Sequence, residues 1–309
     1  MSNDFKVQFP DLFDEGPTNN LCIIGNGFDM HHGLDTSFSD FRNFLVKNGD
    51  GDYVLQLESY FQSDYIDDNG IRKFLLWSNL EKAIGQYDLE ELYHELTDWI
   101  DIDYDHMMRS AAQIEDAPND FLAPLLESLP SRIEEWISSI DLYRVEADVE
   151  FPEPSRFLTF NYTRVLEDVY HIPEDDVLHI HGAIGADELV VGHKVKAKES
   201  DAYDESTPIY QEDSKINIIN IMNACRKPTE NIIARNQSFF QTLNDITDIY
   251  VYGHSYSPVD MDYFEEVRKK VSDATKWHLG CYNGADRKAA EEMMAVLNVP
   301  NDCWGRLKF

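Results

Sequence analysis

Four short runs hold the residue types best suited to chemistry: Gly25-Asn26-Gly27-Phe28-Asp29, Asn161-Tyr162-Thr163, His181-Gly182 and Gly253-His254-Ser255. Each follows directly on an apolar stretch. Glycines at 25 and 27 would let the backbone approach a ligand closely, and the amides opening the next helix would offer a positive dipole end to a phosphate. That outlines a pyrophosphate cradle, although the full G-x-G-x-x-G spacing is not present. Asn161 and His181, 20 residues apart and each at a strand end, are polar groups that could face a ligand there. The plain alternatives are a buried strand that merely turns at glycine, an Asn161 that caps a helix from Thr163 to Tyr170, and a structurally satisfied His181.

The elements that must carry these runs follow from the apolar patterning. Leu21-Cys22-Ile23-Ile24 is wholly apolar, as in a central strand buried on both faces, and runs straight into the first glycine turn. Phe28, Phe38, Phe41, Phe44 and Leu45, behind a Ser37 cap, mark a helix after that turn. Further strands are expected at Arg156 to Phe160, Val177 to Ile180, Leu189 to Val191, Ile249 to Tyr252 and His278 to Tyr282, with a last helix from Ala285 to Leu297. Strands alternating with helices imply βαβ units, whose ligands lie beyond the carboxyl ends of the strands. From about 52 to 145 the pattern becomes amphipathic and helical, as in Leu89-Leu92-Leu96-Trp99, punctuated by Pro118, Pro124 and Pro130. Residues 198 to 217, acidic and without clear period, read as a loop or small lid, and residues 1 to 19 as a lead-in arm. The fold class is therefore α/β: a Rossmann-like parallel sheet over 18–50 and 151–309, carrying a large all-helical insertion over 51–150.

Composition sets limits on partners. The chain has 58 acidic against 26 basic residues, a formal net charge of -32, which disfavours direct, extended contact with nucleic acid or an anionic bilayer. Its four cysteines, Cys22, Cys225, Cys281 and Cys303, form no C-x-x-C pair and suggest neither a disulfide framework nor a thiolate zinc site. With no signal-peptide pattern and no membrane span, a cytoplasmic protein is expected.

Two resemblances follow from the same runs. The segment FLTFNYTRVLEDVYHIPEDDVLHIHGAI resembles the sirtuin stretch in which T-x-N precedes L-x-x-x-H-G. GNGFDMHHGLDTSFSDFRNF is similar to the sirtuin G-A-G-x-S…G-I-P-D-F-R loop, and Gly253-His254-Ser255 to its G-T-S loop. More of the chain resembles the AbiH family of bacteriophage abortive-infection proteins, through IIGNGFDMHHGL, the W-x-x-L-E element at Trp77 to Glu81, TFNYT, HIHG and YGHSYSPVD. The family resemblance implies phage defence. The sirtuin resemblance implies NAD as substrate or ligand, with Gly25, Asn26, Gly27, Phe28, Asp29 and Arg42 on one side of it and Gly253, His254 and Ser255 on the adenosine half. Asn161 would contact the nicotinamide ribose or a water, and His181 would act as general base, with no metal needed. A phage-encoded trigger and further copies of the chain are the partners this biology suggests.

Departures from the sirtuin pattern separate the chemistries. Asp29 stands where sirtuins carry a small hydroxyl residue, Asp40-Phe41-Arg42 is displaced from Gly33-Leu34, and the four-cysteine zinc ribbon is missing. NAD hydrolysis is therefore favoured over protein deacylation. One rival is a metal-dependent phosphoesterase or nuclease built from Asp29 with His31, His32, His179, His181, His193 and His254. Another is a non-catalytic sensor of a nucleotide or phage protein.

Overall fold

The computed structural model describes residues 19–61, 64–66, 72–185, 188–203 and 207–307. The lead-in arm, up to residue 18, lies outside them. The chain packs as two compact units, the first comprising Met1–Thr36, Ile137–Leu189 and Pro228–Phe309, the second Ser37–Trp136 and Val190–Lys227.

The first unit is built on a parallel sheet. Its strands are β1 (Asn20–Ile24), β4 (Ser155–Thr159), β5 (Val177–His179), β6 (Asp248–Tyr252), β7 (Lys276–Gly280) and β8 (Trp304–Leu307). Among the described residues their order is β5-β4-β1-β6-β7-β8, every pair parallel. The chain thus starts in the middle, builds outward on one side through β4 and β5, then returns to build the other side. That is the doubly wound order of Rossmann folds, and the reversal falls between β1 and β6, where such sheets open a crevice at their carboxyl edge. All five residues of β1 are buried, which explains its uninterrupted apolar run.

One face of the sheet carries an aromatic cluster. Phe28 is fully buried and packs against Phe151, Tyr170 and Tyr252 at ring distances of 5.8, 5.6 and 6.3 Å. Burial of one such ring is worth about 1.5–3 kcal/mol, so Phe28 anchors the helix that follows β1. The segment expected as a strand at Leu189 to Val191 is irregular instead, with one parallel bridge from His193 to Arg226. A Cβ at Gly192 would lie 2.2 Å from the Cys225 carbonyl oxygen, so this stretch is shaped by close backbone contact, not by ladder pairing.

The final helix, Gly284–Val296, shows how local sequence sets an element. Asn283 accepts from the amides of Ala285 and Asp286 at 2.7 and 3.0 Å, and Asp286 accepts from the Asn283 amide at 3.2 Å. Both ends of a capping box are present. Asn283→Ala is expected to lower unfolding free energy by about 1 kcal/mol, read as a lower urea midpoint at unchanged slope.

The second unit is mainly helical and includes a short antiparallel pair of strands, β2 (Asp64–Ile66) and β3 (Arg72–Phe74). Ser37 does cap a helix, Phe38–Lys47, through a capping box with Asp40. Pro118 opens a π-helical turn, Pro118–Leu122, between the helices Met107–Ala117 and Ala123–Glu127. The acidic stretch read as a loop is helical from Ile209, in a 16-residue helix to Ala224. Residues 204–206 of that stretch lie outside the described residues. The W-x-x-L-E element has a structural explanation here. Trp77 donates its indole N–H to Glu58 at 2.8 Å, and Glu81 accepts from the buried Lys227 ammonium at 2.8 Å and from the Gly192 amide at 3.2 Å. Among the described residues no helix is long and apolar enough to cross a membrane.

Candidate functional site

The carboxyl ends of β1, β4, β5 and β6 bring most of the sequence-selected residues together in the first unit. After β1 the chain enters a helix at once, Asn26–His31, so Asn26 and Gly27 belong to its first turn, not to a free loop. The Gly25 amide donates to the Tyr252 carbonyl at 2.9 Å and the Gly27 amide to the Gly253 carbonyl at 2.8 Å. A Cβ at Gly25 would stand 2.6 Å from the Cα of His254, and one at Gly253, whose φ is +63°, 2.1 Å from the Phe28 nitrogen. These glycines allow two backbones to touch at the crevice, and their engaged amides are not available to cradle a phosphate in this conformation. Asn26, exposed, ties its side-chain amide to the Thr36 carbonyl at 2.7 Å, and Ser255 is exposed on the facing loop.

Asp29 is at the centre. It is 1 % exposed, and its two carboxylate oxygens accept from the Asn161 side-chain amide at 2.9 Å and the Thr163 hydroxyl at 2.6 Å. Burial pushes its carboxyl up to about 6, against the pull of the Thr163 and Asn161 hydrogen bonds and the attraction of His179. A buried carboxylate held only by neutral donors is a poor structural device and a frequent functional one.

Asn161 is fixed at both ends. Its side-chain nitrogen reaches Asp29 and also the Gly25 carbonyl at 3.3 Å, its own amide donates to the Thr159 hydroxyl at 3.1 Å, and its carbonyl accepts from His179 Nδ1 at 3.0 Å. It does not cap the following helix. That helix is only Val165–Asp168, with Arg164 at its cap position. The side-chain oxygen of Asn161 is buried and has no hydrogen-bond partner among the described residues. An orphaned acceptor of this kind is uncommon in a folded protein and suits a ligand that donates a hydrogen bond.

His181 and His254 share one carboxylate. Their Nε2 atoms stand 3.7 and 3.5 Å from the two oxygens of Asp260, and all three residues are buried. His254 Nδ1 accepts the Tyr256 amide at 2.8 Å, which leaves Nε2 to face Asp260. The Phe160 ring joins this group to its neighbour Asn161, lying 5.3 Å from the His181 ring and 4.6 Å from that of His254. His179 turns elsewhere, with Nε2 2.8 Å from Glu167. Burial raises the Glu167 carboxyl, but the His179 bond and its charge outweigh that and leave it below the ordinary value.

The sequence alone assigned no role to three members of this arrangement: Thr163, Glu167 and Asp260. Thr163 and Asp260 close the TFNYT and YGHSYSPVD runs, so their signal lay inside motifs already quoted. Glu167 had none. Arg42 belongs to the second unit, where its guanidinium pairs with Glu58 at 2.7 Å. The histidines of the metal reading go to separate partners: His31 and His32 to Asp148, His179 to Glu167, His181 and His254 to Asp260, and His193 to the Met222 carbonyl in the second unit. Among the described residues no three His, Cys, Asp or Glu side chains are grouped as ligands for one ion.

Fold and site together define a doubly wound α/β protein whose strand ends near the topological switch point carry a buried Asp29–Asn161–Thr163 group and a buried His181–His254–Asp260 group. The chain matches the family described as Bacteriophage abortive infection AbiH over residues 21–280, and it belongs to that family. Neither a curated protein nor a solved structure matches it.

Proposed function

We propose that this AbiH-family chain, whose family supports a role in abortive-infection defence, hydrolyses the bond between nicotinamide and ribose in NAD. The observation that carries the reading is the Asn161 amide, locked by Asp29, with a buried unpartnered oxygen at the switch point of a dinucleotide-type sheet. A ribose hydroxyl is the donor that this oxygen fits. His181, whose Nε2 stands 3.7 Å from Asp260 at the end of the strand next to that of Asn161, is the proton acceptor in this reading.

The bond breaks toward an oxocarbenium-like centre on the ribose, and nicotinamide leaves with the bonding electron pair. Water then adds to that carbon and gives up its proton to His181. Asp260 stabilises the imidazolium so formed, the role of the carboxylate in a His-Asp pair. The products are ADP-ribose, nicotinamide and one proton. Because the amides of Gly25 and Gly27 are engaged, the exposed Asn26 and Ser255 are the polar groups offered to the rest of the dinucleotide.

Incubating the purified chain with NAD, with and without phage lysate, tests this. ADP-ribose and nicotinamide in equal amounts are expected. NAD binding without turnover would support the sensor reading instead, and chelator-sensitive cleavage of nucleic acid the phosphoesterase one.

A further inference from the structure

We infer that Asp29 is the positioning residue of this site: its carboxylate selects the one orientation of the Asn161 amide that turns the amide oxygen toward a hydroxyl-bearing ligand. The inference rests on the NAD reading for the identity of that ligand, and on geometry for the rest.

An asparagine amide has two orientations related by a half-turn, and its surroundings choose between them. At Asn161 the nitrogen site faces one Asp29 oxygen at 2.9 Å and the Gly25 carbonyl at 3.3 Å. Both are acceptors. Turning the amide over would set its oxygen against a carboxylate and a carbonyl, and would direct its N–H groups to where the orphaned oxygen now lies. The carboxylate makes the choice firm, because a charged acceptor roughly doubles the strength of the bond it receives. Thr163 holds the second Asp29 oxygen at 2.6 Å, so the carboxylate is itself unable to swing.

Surrounding groups keep this arrangement responsive to protonation. His179, on β5, is the titratable group that faces Asp29 from a neighbouring element, and its own nitrogens are taken by the Asn161 carbonyl and by Glu167. Protonated, Asp29 becomes a donor at one oxygen and loses its grip on one of its two partners. The amide orientation then loosens.

The test uses the full chain labelled with 15N-asparagine. The Asn161 side-chain amide signals are assigned by their loss in Asn161→Ala. They are expected to shift along a single titration between about pH 5 and pH 7.5 and to lose that titration in Asp29→Asn. In turnover assays the parent is expected to show an acidic limb in kcat/KM. Thr163→Val, which removes a hydrogen bond to the charged form, moves the Asp29 part of that limb to higher pH, and Asp29→Asn removes that part, leaving only the limb set by the general base, with at least a tenfold lower rate at pH 7.5. Amide signals that ignore pH and are unchanged in Asp29→Asn would overturn the inference, whether or not NAD is consumed. A chain that shows the titration but never consumes NAD keeps Asp29 as the positioning residue and removes the NAD reading alone.

Discussion

Asn161→Ala and His181→Ala are each expected to lower NAD consumption at least 100-fold and to release cells from arrest, while circular dichroism stays that of the parent. General-base catalysis contributes about 10²–10⁴-fold, so loss of the imidazole alone accounts for an effect of that size. Loss of the amide removes the acceptor argued to hold the ribose. The two variants differ in a second respect. Asn161→Ala strips the buried Asp29 of one of its two side-chain donors, which costs about 1–3 kcal/mol of stability. His181→Ala touches no hydrogen bond of Asp29. Asp260→Asn should fall between parent and His181→Ala, since it leaves the base in place but removes the charge that stabilises its protonated form. Full activity in both alanine variants would end the proposed mechanism.

Asp29→Asn is expected to be more stable than the parent at pH 7.5 and no more stable near pH 4. The folded-state carboxyl sits at about 6 against an ordinary 3.8, mainly because burial disfavours its charge. The folded protein therefore holds this proton more tightly than the unfolded chain. Stability from the protonated form is fully present below the unfolded value and is lost as pH rises through about 6. About two pH units at about 1.4 kcal/mol each set an upper limit near 3 kcal/mol for the gain at neutral pH. An asparagine at this position keeps one acceptor oxygen, not two, so part of that gain is given back. Urea unfolding of both proteins from pH 4 to pH 8 checks this. A difference that stays constant with pH would show that charge burial at Asp29 carries no penalty. A stabilising substitution that lowers activity is the usual mark of a residue retained for function.

The two central strands were legible in the sequence because each reads as a short apolar run ending at a glycine turn. Asn20–Ile24 and Asp248–Tyr252 fall within a residue of their expected bounds. β8 was not seen: Trp304–Leu307 is a short edge strand with its two middle residues exposed, so its side chains carry little apolar pattern. The helix Ile209–Ala224 was hidden for the opposite reason. Its inward face includes Ser214 and Lys215, both buried, where a helical period calls for apolar residues, and isoleucines occur on its other faces as well. Lys215 is tolerated there through Glu90, whose carboxylate it reaches at 2.6 Å.

At the site, the strand-end polar residues Asp29, Asn161, His181 and His254 were legible because a parallel sheet exposes little else at its carboxyl edge. What the glycines do there was not. Gly25 and Gly27 look like a phosphate cradle in one dimension, but the hydrogen-bond partners of their amides, Tyr252 and Gly253, lie more than 200 residues away in the chain. The pairing of His181 with Asp260 is hidden in a similar way, since separation in sequence says nothing about which carboxylate a buried imidazole meets, whereas His254 and Asp260 stand in the single run YGHSYSPVD.

The order of assembly carries one more consequence. Strand β1 emerges first from the ribosome, yet its two ladder neighbours, β4 and β6, end only at Thr159 and Tyr252, and Asp260 comes later still. Contacts so distant in sequence make folding slow, and they also act as a safeguard. A nascent or prematurely stopped polypeptide lacks one flank of its central strand, and with it the carboxylate between the two imidazoles. Truncated products that stop short of Asp260 are then expected to lack the activity proposed for this site.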